Sequence, residues 1–185
     1  MTFWNFRRGT GPGAVSGSAA LSTSPELAPI ELHTADTRMV GWIAADGHRV
    51  TDLLRDRDTV RLWQPRPDSA EPGPRPTGDN GGEWRSIETA RVVVVMPPEW
   101  RPTRQLRLHR RLQRVAVEAG PFSITGNLHL PTDADPSPLA SLPNWIPLTD
   151  VHLLFHGDPP FEHVVSVAIV NAAHVSRLAP LITLA

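Results

Sequence analysis

The chain has 185 residues, and its 18 basic residues, all Arg, nearly balance 19 acidic ones for a net charge of −1. That length bounds it to one or two small domains, and the neutral balance argues against a globally basic nucleic-acid binder. The absence of Cys excludes disulfides, thiolate metal sites and Cys nucleophiles, and no run of 18 apolar residues is present to make a spanning helix.

Residues 1–28 open on Phe3, Trp4 and Phe6, ahead of Arg7 and Arg8, and continue in Gly, Ala, Ser, Thr and Pro. A secretory signal places charge before a solid apolar stretch; here the order is reversed and Gly11 to Ser24 is too polar. The segment reads as a disordered arm on a cytoplasmic, bacterial-type protein. Its aromatic residues are available to hook a partner, although a frayed terminus is the plainer reading.

From residue 29 the chain reads as two copies of one unit, 29–100 and 101–185. Met39-Val40-Gly41-Trp42-Ile43 and Ile124-Thr125-Gly126-Asn127-Leu128 share an apolar–x–Gly–x–apolar pattern 85 residues apart. Upstream of each lies an alternating segment, Ile30-Glu31-Leu32 and Val115-Ala116-Val117, as in a half-buried strand. Downstream come Val60-Arg61-Leu62 and Ile146-Pro147-Leu148. A β-branched run closes each copy, Val92 to Met96 in the first and Val164 to Val170 in the second. Thr51 to Arg55 predicts one helical turn, and Ser137 to Leu142 sits at the equivalent place. Residues 64–82 carry Pro65, Pro67, Pro72, Pro74 and Pro76 and read as a flexible insertion in the first unit. The fold class expected is all-β: two tandem small barrel-like units behind an arm.

This order of landmarks resembles the small Sm-like β-barrels and uncharacterised bacterial repeat domains of similar shape. In the second copy Gly126-Asn127-Leu128 stands for the bent strand, Trp145 to Asp150 for the middle strand, and Val167 to Val175 for the closing strand, turn and strand. In the first copy the middle strand lacks the Asp and the turn falls at Pro97-Pro98. The resemblance implies a small β-barrel for each unit; separately, free sheet edges need covering, which predicts oligomerisation by edge pairing. The family's RNA-contacting Arg-Gly pair is missing, with Val170-Asn171 in that region.

Candidate sites follow from local chemistry. Arg101, Arg104, Arg107, Arg110, Arg111 and Arg114 crowd into 14 positions, a density suited to phosphates or nucleic acid. Leu106, Leu108 and Leu112 interleave them, which favours a partly packed, solvated face. Arg110 and Arg114 followed by Ser123 and Gly126 also resemble the cyclic-di-GMP-binding PilZ pattern. Pro121 stands where that pattern has Asp or Asn, and the gap from Arg114 to Ser123 is only nine residues. His152 and His156, with Asp150 on the same parity, are weak candidate metal ligands. Their alternation with Val151, Leu153 and Phe155 favours a solvent face. Trp42, Trp63, Trp84, Trp100 and Trp145 fall beside strand positions and, with Trp4, are candidate core or partner-interface residues. No nucleophile elbow, phosphate loop or cofactor motif occurs. The function expected is a non-catalytic assembly module needing no cofactor, with a protein partner or homo-oligomer. A nucleic-acid or nucleotide binder using Arg101 to Arg114 is the alternative.

Overall fold

A computed structural model describes residues 26–45, 48–64, 71, 73, 75–76, 83–97, 110–131 and 142–181. Most of the arm, most of the Pro-rich insertion and all of the second expected helical turn but Leu142 therefore lie outside the described residues. The fold is all-β, as expected. The first half runs β1 (Leu27–His33), β2 (Arg38–Ala44), α1 (Val50–Asp56), β3 (Thr59–Gln64), β4 (Glu83–Glu88), a 3-10 turn (Thr89–Arg91) and β5 (Val94–Met96). The second half runs β6 (Arg110–Ala119), β7 (Phe122–Pro131), β8 (Trp145–Phe155), β9 (Phe161–Asn171), a 3-10 turn (Ala172–His174) and β10 (Val175–Pro180).

Alternation makes these strands. In β6 and β7, Val115, Val117, Ala119, Phe122, Ile124 and Leu128 are buried while their neighbours are not. Ala119 pairs with Phe122, so Gly120-Pro121 is a two-residue hairpin loop, and Gly120 takes the positive φ (53°) that such loops need. Helix α1 buries Leu53 and Leu54 and includes the turn expected over Thr51 to Arg55.

All ten strands form one curled antiparallel sheet in the order β10-β6-β7-β8-β9-β5-β1-β2-β3-β4. Each half places its fifth strand beside its first, followed by its second, third and fourth. The registers also agree. Ile30 opposes Gly41 in β1·β2, and Val115 opposes Gly126 in β6·β7. Ile43 opposes Leu62, and Leu128 opposes Leu148. Val60 opposes Ile87, and Ile146 opposes Val170. Leu32 opposes Val95, and Val117 opposes Leu178.

Two expectations differ from this arrangement. The runs Val92–Met96 and Val164–Val170 are not counterparts: they lie in β5 and β9, which pair with each other across the middle of the sheet. The closing turn of the first half falls at Thr89–Arg91, before the valine run, not at Pro97-Pro98. Val92–Met96 and the end of the second run, Ala168–Val170, are buried at consecutive positions because both faces of the sheet are covered there, whereas Val164 is exposed. One core, with Val117, Phe122, Ile146, Leu148 and Leu153, serves the second half, and another, with Leu32, Leu54, Val60 and Leu62, serves the first.

Candidate interaction site

The two halves meet at a joint between β5 and β9. Val94 opposes Val170 and Val95 opposes Ile169, and the Asn171 N–H donates to the Val93 carbonyl at 3.0 Å. Packing is reciprocal. Val93, just before β5, and Val94 and Met96 of β5 enter the second half's core, while Trp145 of β8 and Ile169 of β9 enter the first half's. Asn171 is buried, and its side-chain amide donates to the Val92 carbonyl at 2.9 Å while its Oδ1 accepts from the Ala173 N–H at 3.1 Å. His174 Nε2 donates to the Ala90 carbonyl at 2.7 Å. A buried polar group is tolerable only when paired, and these pairings stitch one half to the other.

At one end of the joint His33, 2% exposed, packs edge-on against Phe122 and beside Phe161, each at 5.4 Å between ring centroids. Its Nε2 donates to Glu31 Oε1 at 2.7 Å, and Arg38 donates to both carboxylate oxygens at 2.7 and 3.0 Å. Burial works to raise the Glu31 carboxyl, but the hydrogen bonds from His33 and Arg38 outweigh it and hold the group at about 2 instead of 4.5.

Arg111 and Arg114, the two arginines of the cluster whose side chains are described, do not converge. Arg101, Arg104 and Arg107 lie outside the described residues, and Arg110 begins β6. Arg111 is exposed, whereas Arg114 points to the other face of the strand and donates to the Asp150 carbonyl at 2.7 Å. Asn127 donates to the Asp150 carboxylate at 2.8 Å, so this arginine braces a bulge where Asp150 takes a φ of 50°. Leu112 is 58% exposed and packs against neither core, unlike the interleaved packing expected.

The histidines are likewise separate. His152 Nε2 bonds Glu162 Oε1, and His156, just beyond β8, bonds Ser123 Oγ at 2.6 Å. Ser123 gives its own proton to Glu118 at 2.7 Å, so the serine is not activated by the imidazole. Among the described residues no three His, Asp or Glu side chains stand together as a metal would need.

The tryptophans divide. Trp145 is buried in the joint, while Trp42, Trp63 and Trp84 form a row across β2, β3 and β4 on the face away from the core. Trp63 is buried between the others, Trp42 is half-buried, and Trp84 is 39% exposed with the Arg61 guanidinium 5.1 Å above its ring. Trp4 and Trp100 lie outside the described residues. A shared apolar interface is what two side-by-side copies predict, but which strands make it is not legible in the sequence. No protein-family model matches the chain, and no curated protein or solved structure matches it.

Proposed function

We propose that the chain is a non-catalytic assembly module, made of two Sm-like units that arose by internal duplication and act as a subunit or scaffold of a larger protein complex. The observation that carries this is the edge joint β9·β5. It connects the fourth strand of one half to the fifth strand of the other, while both halves share one strand order and one set of registers. The offsets support duplication: 85 residues relate β1 and β2 to β6 and β7, 86 relate β3 to β8, and 83 relate β4 and β5 to β9 and β10. A short 3-10 turn precedes the last strand of each half. Gly41 and Gly126 occupy matched positions: a neighbouring strand crosses Gly41 too closely for a side chain, and Gly126 packs tightly against Leu148 and Val151.

An architecture whose own halves associate by strand pairing, with an aromatic row on an outer face, is suited to binding other proteins. The test is retrieval of the tagged full chain from its own cells, combined with light scattering of the purified protein. A stoichiometric partner or a defined oligomer is expected. A strict monomer that retrieves nothing would overturn the proposal.

A further inference from the structure

The sheet ends in two edges, the outer sides of β4 and β10, with which no strand pairs among the described residues. If the halves are copies, β4 is the counterpart of β9 and β10 the counterpart of β5, so a second chain has the geometry to repeat the joint head to tail. The residues at those edges decide whether it does.

Counterparts follow from the registers. Ile169, which enters the opposite core at the joint, corresponds to Ser86, which is exposed. Trp145 corresponds to Thr59, also exposed. Asn171 corresponds to the exposed Glu88, and His174 to the exposed Arg91. On the other side Val93 and Val94 correspond to Ser176 and Arg177, both exposed, and Met96 to Ala179. Each apolar residue that one half inserts into the other is thus matched at the free edges by a polar, charged or shortened one.

We infer that β4 and β10 are capped ends, so that the chain is a finished pair of units which does not add a second copy of itself through these edges; this rests on the duplicated-unit proposal above. In a repeated joint Arg177 would stand where Val94 stands, opposite Ile87 and inside the neighbour's apolar core. A guanidinium there loses its hydration and faces only hydrocarbon, since the side chain opposite it is Ile87. Ser86 and Ser176 would lose water in the same way while returning none of the area that Ile169 and Val93 bury. Repeat arrays end in units with a polar outer face for this reason, and exposed sheet edges are blunted with charge and Pro. Pro180, at the end of β10, has no N–H to offer a further strand.

Two measurements on the full chain test this. Glu88 and Ser176 would lie opposite each other in a repeated joint, as Asn171 and Val93 do, and the native sequence has no Cys to compete. The variant E88C/S176C, oxidised at high micromolar concentration, is expected to give no head-to-tail disulfide-linked chains. A ladder of linked chains on a non-reducing gel would overturn the inference while favouring the assembly proposal. Conversely, S86I/S176V/R177V restores the joint's side chains at both edges. Its mass by light scattering is expected to rise above that of the native protein by at least one chain of 20.3 kDa. If that variant keeps the native circular dichroism and melting transition yet also keeps the native mass, polarity is not what blocks the edges, and the inference fails. A chain that is monomeric and partnerless, with both results as expected, would overturn the assembly proposal and leave the capped ends standing.

Discussion

Val94 lies directly opposite Val170 where the two halves meet, and both side chains are fully buried in the second half's core. A residue of the first half therefore completes the packing of the second. Removing either valine's methyl groups loses apolar burial and leaves a space that neighbours on two strands cannot both close. V94A and V170A are each expected to cost about 2 kcal/mol in chemical denaturation. The double variant should cost less than the sum, because the two share one space. Strict additivity would mean that the valines do not act together.

The same joint shows why part of the fold was legible and part was not. Gly41 and Gly126 announced themselves because each interrupts an alternating segment at the same distance from a second one. Val60-Arg61-Leu62 and Ile146-Pro147-Leu148 kept their alternation because each has one covered face. Val92–Met96 and Ala168–Val170 are apolar on both faces, and such a run says that a strand is enclosed without saying by what. That they pair with each other depends on contacts between residues over 70 positions apart, which local periodicity does not carry. The Asp150 bulge and its bonds to Arg114 and Asn127 were invisible for the same reason.

The two matched glycines are not equally replaceable. A Cβ on Gly41 would sit 2.4 Å from the backbone carbonyl oxygen of Trp63 and 2.9 Å from Leu62 Cγ. On Gly126 the nearest atoms are Leu148 Cβ at 3.1 Å and Val151 Cγ2 at 3.2 Å. Side chains give way more easily than a paired backbone. Gly41→Ala should therefore cost about 3 kcal/mol or prevent folding, and Gly126→Ala about 1–2 kcal/mol, by thermal or denaturant melting. An equal or reversed ranking would contradict the close crossing of β2 over β3.

Glu31 makes stability depend on acid in a defined window. Burial opposes its ionisation, but His33 and Arg38 prevail and lower its pKa from 4.5 to about 2. A carboxyl held below its unfolded value stabilises the fold fully above about pH 4.5, and that contribution is lost as the pH falls toward 2. Because the side chain keeps 19% exposure, the contribution is about 2–3 kcal/mol. Glu31→Gln should lower stability at pH 7 and flatten the profile between pH 4.5 and 2 relative to the native chain. Parallel profiles for the two proteins would show that another group governs the acid limb.

Asn171 holds the joint through two different atoms, and the variants separate them. Its Nδ2 donates to the Val92 carbonyl in the first half, and its Oδ1 accepts from Ala173 within the second. Asn171→Asp keeps the acceptor that caps the 3-10 turn but places a carboxylate against the Val92 carbonyl with no proton to share. Asn171→Ala removes these bonds, together with the longer one from Nδ2 to the Thr89 carbonyl at 3.4 Å, and leaves the Val92 carbonyl without this donor, at about 1–3 kcal/mol. The carboxylate adds the penalty of an enclosed charge, so Asp should be the more damaging at pH 7 despite its closer shape. Lowering the pH should shrink the difference, because a protonated Asp can donate again. Melting both variants at pH 7 and pH 4 checks this. If Asp were milder than Ala at both pH values, the cap to Ala173, not the bond across the joint, would be the contribution that matters.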